Sequence, residues 1–211
     1  MKKFSMIALI ILMSFIFIFS RCKQGEASTP ELAIDSTQTQ AMLPAYGGFE
    51  NQVEWGKHIV TIGGCNDCHT PKKMGPNGPE DNLDLALSGH PSQMPDISIN
   101  RKEIESKGLM VAGGSFTSFV GPWGVSYAAN LTSDSTAGIG NWTEDQFILA
   151  VRKGKYGGVS GGRNILPPMP WPNVGQMTDD ELKAVYAYLE STKPIHNIVP
   201  QPQPPVMAMK K

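Results

Sequence analysis

Cys65-Asn66-Asp67-Cys68-His69 is the stretch of sequence on which the interpretation of the whole chain depends. Two thiols one helical turn apart can each form a thioether with a vinyl group of the same porphyrin. The adjacent histidine then lies beneath the iron and can bind it as an axial ligand. The motif occurs once and therefore predicts one covalently attached haem c, held by Cys65, Cys68 and His69.

Two other uses of a C-x-x-C pair have to be weighed against haem attachment. A structural zinc site needs four ligands, and the only other cysteine, Cys22, lies in a very different setting. A thioredoxin-like dithiol belongs in a βαβ pattern, and the sequence shows none. Both comparisons favour haem.

Met169 is the leading candidate for the second axial ligand. It lies in Pro167-Pro168-Met169-Pro170, where prolines on both sides fix the backbone and prevent helix formation. Such a loop presents the thioether with little conformational entropy left to lose, and His/Met coordination raises the potential of a haem. The rival methionines are Met74 and Met94, which also lie beside Gly or Pro.

Three further histidines and one methionine complete the set of candidate ligands. His90, in a loop, is the competitor of Met169 for a bis-histidine haem. His58 in the first predicted helix and His196 beyond the last one are predicted to be surface residues. Met110 lies in a predicted strand and is expected to pack.

The N-terminus has the proportions of an export signal. Lys2 and Lys3 precede an apolar run at residues 6–19, which is short for a transmembrane helix of about 20 residues. Cys22 follows at once, as in a bacterial lipoprotein, although Arg21 departs from the small residue usual before such a cysteine. We expect residues 1–21 to be the signal and Cys22 to carry lipid on the periplasmic side of a bacterial membrane. An ordinary cleaved signal or an uncleaved anchor would also place the protein outside the cytoplasm.

Charge excludes one class of partner. Loss of Lys2, Lys3 and Arg21 with the signal would reduce 18 basic residues to 15 against 19 acidic ones, a net charge of −4. A nucleic-acid-binding protein would call for a basic stripe, so no nucleic-acid partner is expected.

The remaining chain divides into a linker, one domain and a tail. Residues 22–48 are rich in Ser, Thr, Gln, Ala and Pro and predict a flexible linker. Residues 49–196 are long enough for one core. Residues 197–211 are proline-rich and predict a solvated tail.

Helical periodicity and capping signals predict three helices within the domain, at residues 51–63, 143–154 and 178–191. Residues 71–141 are rich in Gly, Pro, Ser and Asn and form a long insertion with weak periodicity. Within the insertion, residues 109–120 predict a small β-hairpin about Gly113-Gly114.

The chain resembles the class I cytochromes c, in particular exported monohaem proteins similar to the cytochrome c subunits of bacterial dehydrogenases. The resemblance spans about residues 52–200 and rests on C-x-x-C-H together with short motifs at residues 55–57, 121–124, 130–132, 136–143, 167–171 and 187–189. It implies an all-α fold in which the first and last helices cross, with Gly56 against Tyr186 or Tyr188. It also implies Met169 as the distal ligand, although the 100 residues from His69 to Met169 exceed the spacing in compact members.

Four further residues are candidates for the haem pocket or for plain packing: Trp123, Trp142, Arg163 and Trp171. The predicted function is that of an electron carrier, not an enzyme, which passes single electrons between a dehydrogenase or quinol-oxidising complex and a terminal acceptor. Its expected partners are redox proteins, a dehydrogenase or an oxidase. One alternative is a haem enzyme or gas sensor, which requires an open sixth position on the iron. Another is a fixed electron-transfer subunit of a larger oxidoreductase.

Overall fold

A computed structural model describes residues 45–206. The predicted signal at 1–21, the lipidation site Cys22, almost all of the predicted linker, and residues 207–211 lie outside the described residues, so those expectations remain predictions. Within the described part, no helix is both long and apolar enough to cross a membrane.

Residues 45–206 contain six α-helices and five short strands. The helices are α1 (Gln52–Ile62), α2 (Cys65–His69), α3 (Arg101–Ser106), α4 (Glu144–Lys153), α5 (Trp171–Val174) and α6 (Asp179–Glu190). The strands are β1 (Lys72–Gly75), β2 (Gly78–Asp81), β3 (Val111–Ala112), β4 (Ser118–Gly121) and β5 (Gly124–Tyr127).

Local hydrogen bonds determine where the three longest helices begin. The side chain of Asn51 accepts a backbone N–H in the first turn of α1. At α4 the Gln146 N–H donates to Thr143 Oγ1 (3.2 Å) and the Thr143 N–H donates to Gln146 Oε1 (2.8 Å). Thr178 and Glu181 form the same reciprocal capping box at α6. The three helices predicted from the sequence are therefore confirmed.

Helices α1 and α6 cross at Gly56, which is buried. A Cβ atom at this position would overlap the carbonyl oxygen of Ala184 and lie 2.9 Å from the Cβ of Tyr188. The crossing thus depends on the absence of a side chain, and Tyr188 is the aromatic residue beside it.

The hydrophobic core lies between the helices and draws on the insertion as well. Its buried members are Ile59, Val60, Leu87, Ile139, Phe147, Val151, Leu182, Ala184, Val185 and Leu189. Each large aliphatic or aromatic side chain among them contributes roughly 1.5–3 kcal/mol by leaving water. Leu87 and Ile139 belong to the insertion, which therefore shares one core with the helices.

Two small antiparallel sheets accompany the predicted helices, so the fold is not purely all-α. Strands β1 and β2 form a hairpin, and β3, β4 and β5 form a second sheet in that order. The predicted hairpin about Gly113-Gly114 corresponds to β3 and β4, in which Val111 pairs with Val120. The other hairpins were missed because strands of four residues are too short to show a clear alternation of apolar and polar residues.

The C-terminal segment, residues 195–206, differs from the predicted solvated tail. Gln203 forms two backbone hydrogen bonds with Val125 of β5, at 2.9 and 3.0 Å. Arg101 of α3 donates to Gln203 Oε1 and to the Pro204 carbonyl, both at 2.7 Å. An edge strand pairs with a neighbour on one side only. Proline is tolerated there because its missing N–H can face the open side, where no hydrogen bond is lost.

Candidate haem-binding site

The C-x-x-C-H motif forms the short helix α2. Gly64 precedes it in the left-handed region (φ 65°), which lets the chain turn sharply from α1 into α2. Cys65 and Cys68 are both unpaired and partly buried. The turn therefore carries two free thiols and the His69 imidazole within five consecutive residues, as covalent haem attachment requires.

The electrostatics of the two thiols argue against a catalytic dithiol. Burial raises the pKa of Cys65 to about 11, and burial also raises the pKa of Cys68. Redox-active pairs need at least one thiolate near neutral pH, and so have lowered pKa values. Within residues 45–206, no cluster of three or more His, Cys, Asp or Glu side chains could hold a metal ion.

His69 is buried and held in one tautomer. Its Nδ1 lies 2.7 Å from the carbonyl oxygen of Ala129. A carbonyl only accepts, so Nδ1 carries the proton and Nε2 keeps its lone pair. Burial lowers the pKa of His69 below its usual value, which favours the neutral ring. A neutral imidazole with its other nitrogen hydrogen-bonded is the form in which histidine binds iron.

The loop that carries Met169 is attached to β5. Ser126 Oγ donates to the carbonyl of Pro167 (2.5 Å) and accepts from the indole N–H of Trp123 (3.0 Å). On the other side of Met169, Pro170 precedes helix α5. The methionine is partly buried between these two anchors.

One stretch of chain therefore holds both predicted ligand segments. Ser126 anchors the Met169 loop, and Ala129, three residues further on, anchors His69. Sequence reasoning missed both anchors. Ala129 acts through its backbone carbonyl, which no residue type reveals, and Ser126 acts through a hydroxyl at a distance of 41 residues.

The rival methionines lie on the surface. Met74 in β1 is 79% exposed and Met94 is 36% exposed. Met110, expected to pack, is instead 56% exposed immediately before β3.

Of the remaining histidines, only His90 is buried. His58 is exposed on α1 and stacks near Phe49, and His196 is exposed. The Nδ1 of His90 pairs with Thr117 Oγ1 at 2.8 Å, and its ring centre lies 4.9 Å from that of Tyr127. The structure thus places His90 in the interior beside the three-stranded sheet.

The other candidate pocket residues are divided between packing and the surface. Trp142 and Trp171 are partly buried, and the Trp142 ring meets that of Tyr156 edge-on at 6.5 Å. Arg163 is exposed and its guanidinium stacks 4.0 Å from the Tyr156 ring centre. The indole N–H of Trp123 donates to Ser126 Oγ, which in turn donates to the Pro167 carbonyl. Trp123 therefore supports the Met169 loop through Ser126.

Comparison with known proteins identifies relatives of the same kind. The sequence pattern of the family described as Cytochrome c matches residues 53–193. The cytochrome c subunit of a quinone-dependent alcohol dehydrogenase from Gluconobacter oxydans is 28% identical over 84% of this chain and 29% of its own length. The gluconate 2-dehydrogenase cytochrome c subunit of Pantoea cypripedii is 37% identical over 39% of this chain and 17% of its own length.

A third relative is the fructose dehydrogenase cytochrome subunit of Gluconobacter japonicus. It is 36% identical over 46% of this chain and 19% of its own length. The chain therefore spans less than a third of the length of these curated relatives.

Proposed function

The chain belongs to the cytochrome c family of electron-transfer proteins, and we propose that it holds one haem c and passes single electrons between redox partner proteins. The observation that carries the proposal is the α2 turn, where two free thiols precede a buried imidazole whose Nε2 lone pair is available. When bound, the haem iron takes up and releases one electron.

We assign four residues to the haem. Cys65 and Cys68 would form the thioethers, and His69 and Met169 would bind the iron. Support for Met169 comes from its stiff, anchored loop and from the exposure of Met74 and Met94 on the surface.

His90 is a weaker candidate for the second ligand. The Gly89 N–H donates to the carbonyl of His69 at 2.8 Å, so His90 follows directly beside His69. The His90 ring is held in the interior, where its Nδ1 lies 2.8 Å from Thr117 Oγ1.

With both axial positions filled, the protein would perform no bond chemistry and would act as a carrier or a subunit, not as an enzyme. The haem enzyme or gas sensor remains the alternative and requires an open iron. The names of the relatives support a dehydrogenase as one partner. Both a free carrier and a fixed subunit of a larger oxidoreductase agree with those names.

We further propose that the protein is exported to the periplasmic side of a bacterial membrane and anchored through lipid on Cys22, because an apolar run precedes that cysteine. Cys22→Ser should then leave the membrane fraction while its haem content stays unchanged. Sequencing of the mutant's N-terminus distinguishes this result from anchoring by an uncleaved segment at residues 6–19, which would keep the mutant on the membrane.

The ligand assignment is tested by Met169→Ala. The oxidised wild type should show the weak far-red absorption band of methionine sulfur on ferric iron, and the reduced form should bind carbon monoxide poorly. Met169→Ala should lose the band, lower the reduction potential and admit carbon monoxide, whereas the matched controls Met74→Ala and Met94→Ala should change none of these. Survival of the band in Met169→Ala would refute the ligand assignment, and ready carbon monoxide binding by the wild type would favour the enzyme or sensor.

A further inference from the structure

Lys72 is a nearly buried cation beside the haem-attachment helix. It is the first residue of β1, and its side chain is only 14% exposed. Its Nζ donates to the backbone carbonyls of Asn66 (3.0 Å) and Thr70 (3.2 Å) and to Asp81 Oδ1 (2.5 Å). The ammonium group therefore satisfies carbonyls on both sides of Cys68 and His69.

The neighbouring lysine shows that this arrangement is specific. Lys73 points to the other face of the hairpin, where its Nζ lies 3.9 Å from Glu80 and both side chains are about half exposed (53% and 52%). An exposed pair at that distance contributes little because water and salt screen it. Lys72, by contrast, makes three close contacts with little solvent around it.

The position of Lys72 gives its charge an electrostatic role. A cation at the C-terminal end of a helix offsets the negative potential of the free carbonyls there. The ammonium group bonds to the carbonyls of Asn66 and Thr70, at the two ends of the segment that contains Cys68 and His69. Its charge therefore lies beside any group that those two residues hold.

We propose that Lys72 raises the reduction potential of the haem held by Cys65, Cys68 and His69. The inference rests on the proposed function. Oxidation removes one electron and adds one positive charge at the site, and a fixed cation nearby makes the oxidised state less favourable. Asp81 acts in the opposite direction and more weakly, because its side chain is 39% exposed.

The test compares Lys72→Met with Lys73→Met in the haem-loaded protein by spectroelectrochemical titration with small-molecule mediators. Lys72→Met should lower the equilibrium constant for one-electron reduction roughly threefold, the size expected for a partly screened unit charge. Lys73→Met should change it by a much smaller factor. Lys72→Arg, which keeps the charge, should restore most of the lost potential, and Asp81→Asn should raise the potential.

Each result either supports the proposal or overturns it. A shift in Lys72→Met no larger than that in Lys73→Met overturns it, even if Lys72→Met is less stable, because Lys72 would then only anchor the hairpin. If Lys72→Met does not load haem, Asp81→Asn decides, and an unchanged or lowered potential refutes the electrostatic role. Covalent haem and the far-red band are measured in the same samples, so a failure of the proposed function is seen separately as their absence from the wild type.

Discussion

Two regions of the molecule differ in how far apart along the chain their contacting residues lie. One comprises the helices α1, α4 and α6, and the other is the insertion at residues 71–141. The capping boxes of α4 and α6 join residues three positions apart. The insertion is instead held by the C-terminal segment, since Asn197 accepts the Ser92 N–H across 105 residues and Arg101 reaches Gln203 across 102. Local contacts thus mark the ends of the helices, whereas the insertion also depends on contacts with the C-terminal segment about a hundred residues away.

The predicted haem-binding site depends on both regions. The insertion carries Ser126 and Ala129, which hold the two predicted ligand segments, while the helices provide the turn that bears the thiols. Loss of the long-range contacts should therefore loosen the ligand geometry before the helices unfold.

The largest effect is expected at the crossing of α1 and α6, where two helices distant in sequence are in close contact. Gly56→Ala puts a methyl group into the Ala184 carbonyl, so α1 and α6 must separate. We expect the free energy of unfolding to fall by about 3 kcal/mol or more, measured by denaturant titration. The control is Gly114→Ala, whose new methyl group meets nothing within 4 Å. Equal losses in both variants would contradict the close crossing.

The second effect separates the insertion from the helices. Asn197 is buried and donates to the carbonyls of Ser88 (2.7 Å) and His90 (2.9 Å). Asn197→Ala leaves these carbonyls and the Ser92 N–H without their partner. The free energy of unfolding should therefore fall by about 2 kcal/mol. Hydrogen exchange should rise in residues 88–92 and remain slow in α6.

The control for this experiment is Ile198→Ala at the next position, where the side chain is 65% exposed. It should leave hydrogen exchange unchanged. If Asn197→Ala instead loses protection from hydrogen exchange throughout, including α6, the insertion and the helices unfold together. That result would contradict independent loosening of the insertion.

The third effect tests the local origin of the helices. Thr178→Ala removes the Oγ1 that accepts the Glu181 N–H at 3.2 Å, and loss of such a cap costs about 1 kcal/mol. Thr61→Ala is the matched control, because the Thr61 hydroxyl bonds only to the Lys57 carbonyl within α1. If denaturant titration gives the same loss for both variants, the capping box does not stabilise α6.

The same contrast explains how far sequence alone could predict the structure. Thr143, Thr178 and the C-x-x-C-H turn carry their signals within a few residues, so the capped helices were predictable, and the two thiols and the imidazole were expected on one short stretch. The burial of Lys72 depends on a hairpin whose strands are only four residues long. The C-terminal segment was predicted to be solvated because its proline content is a local signal, whereas the side-chain partners of Gln203 lie 76 to 107 residues away.

The smallest effect concerns the charge at the contact between the insertion and the C-terminal segment. Asp96 accepts hydrogen bonds from the Tyr127 hydroxyl and from Gln203 Nε2, and these bonds, chiefly the first, hold the pKa of its carboxyl below the usual value of 3.8. A lowered pKa in the folded state means that the carboxylate adds stability above about pH 4 and that this contribution disappears as the pH falls through the folded-state value. Because Asp96 is exposed, solvent screening keeps the contribution small.

Denaturant titrations of the wild type and Asp96→Asn at pH 7, 5, 4 and 3 measure this contribution as a difference in the free energy of unfolding. The difference should be constant between pH 7 and 5 and should shrink toward pH 3, where the wild-type carboxyl takes up a proton. The contributions of the other acidic groups are the same in both proteins and cancel in the difference. Asp84→Asn controls for the removal of a surface charge away from this contact. A difference that grows as the pH falls would mean that the Asp96 carboxylate destabilises the folded state, and the C-terminal segment would then be held by its neutral hydrogen bonds alone.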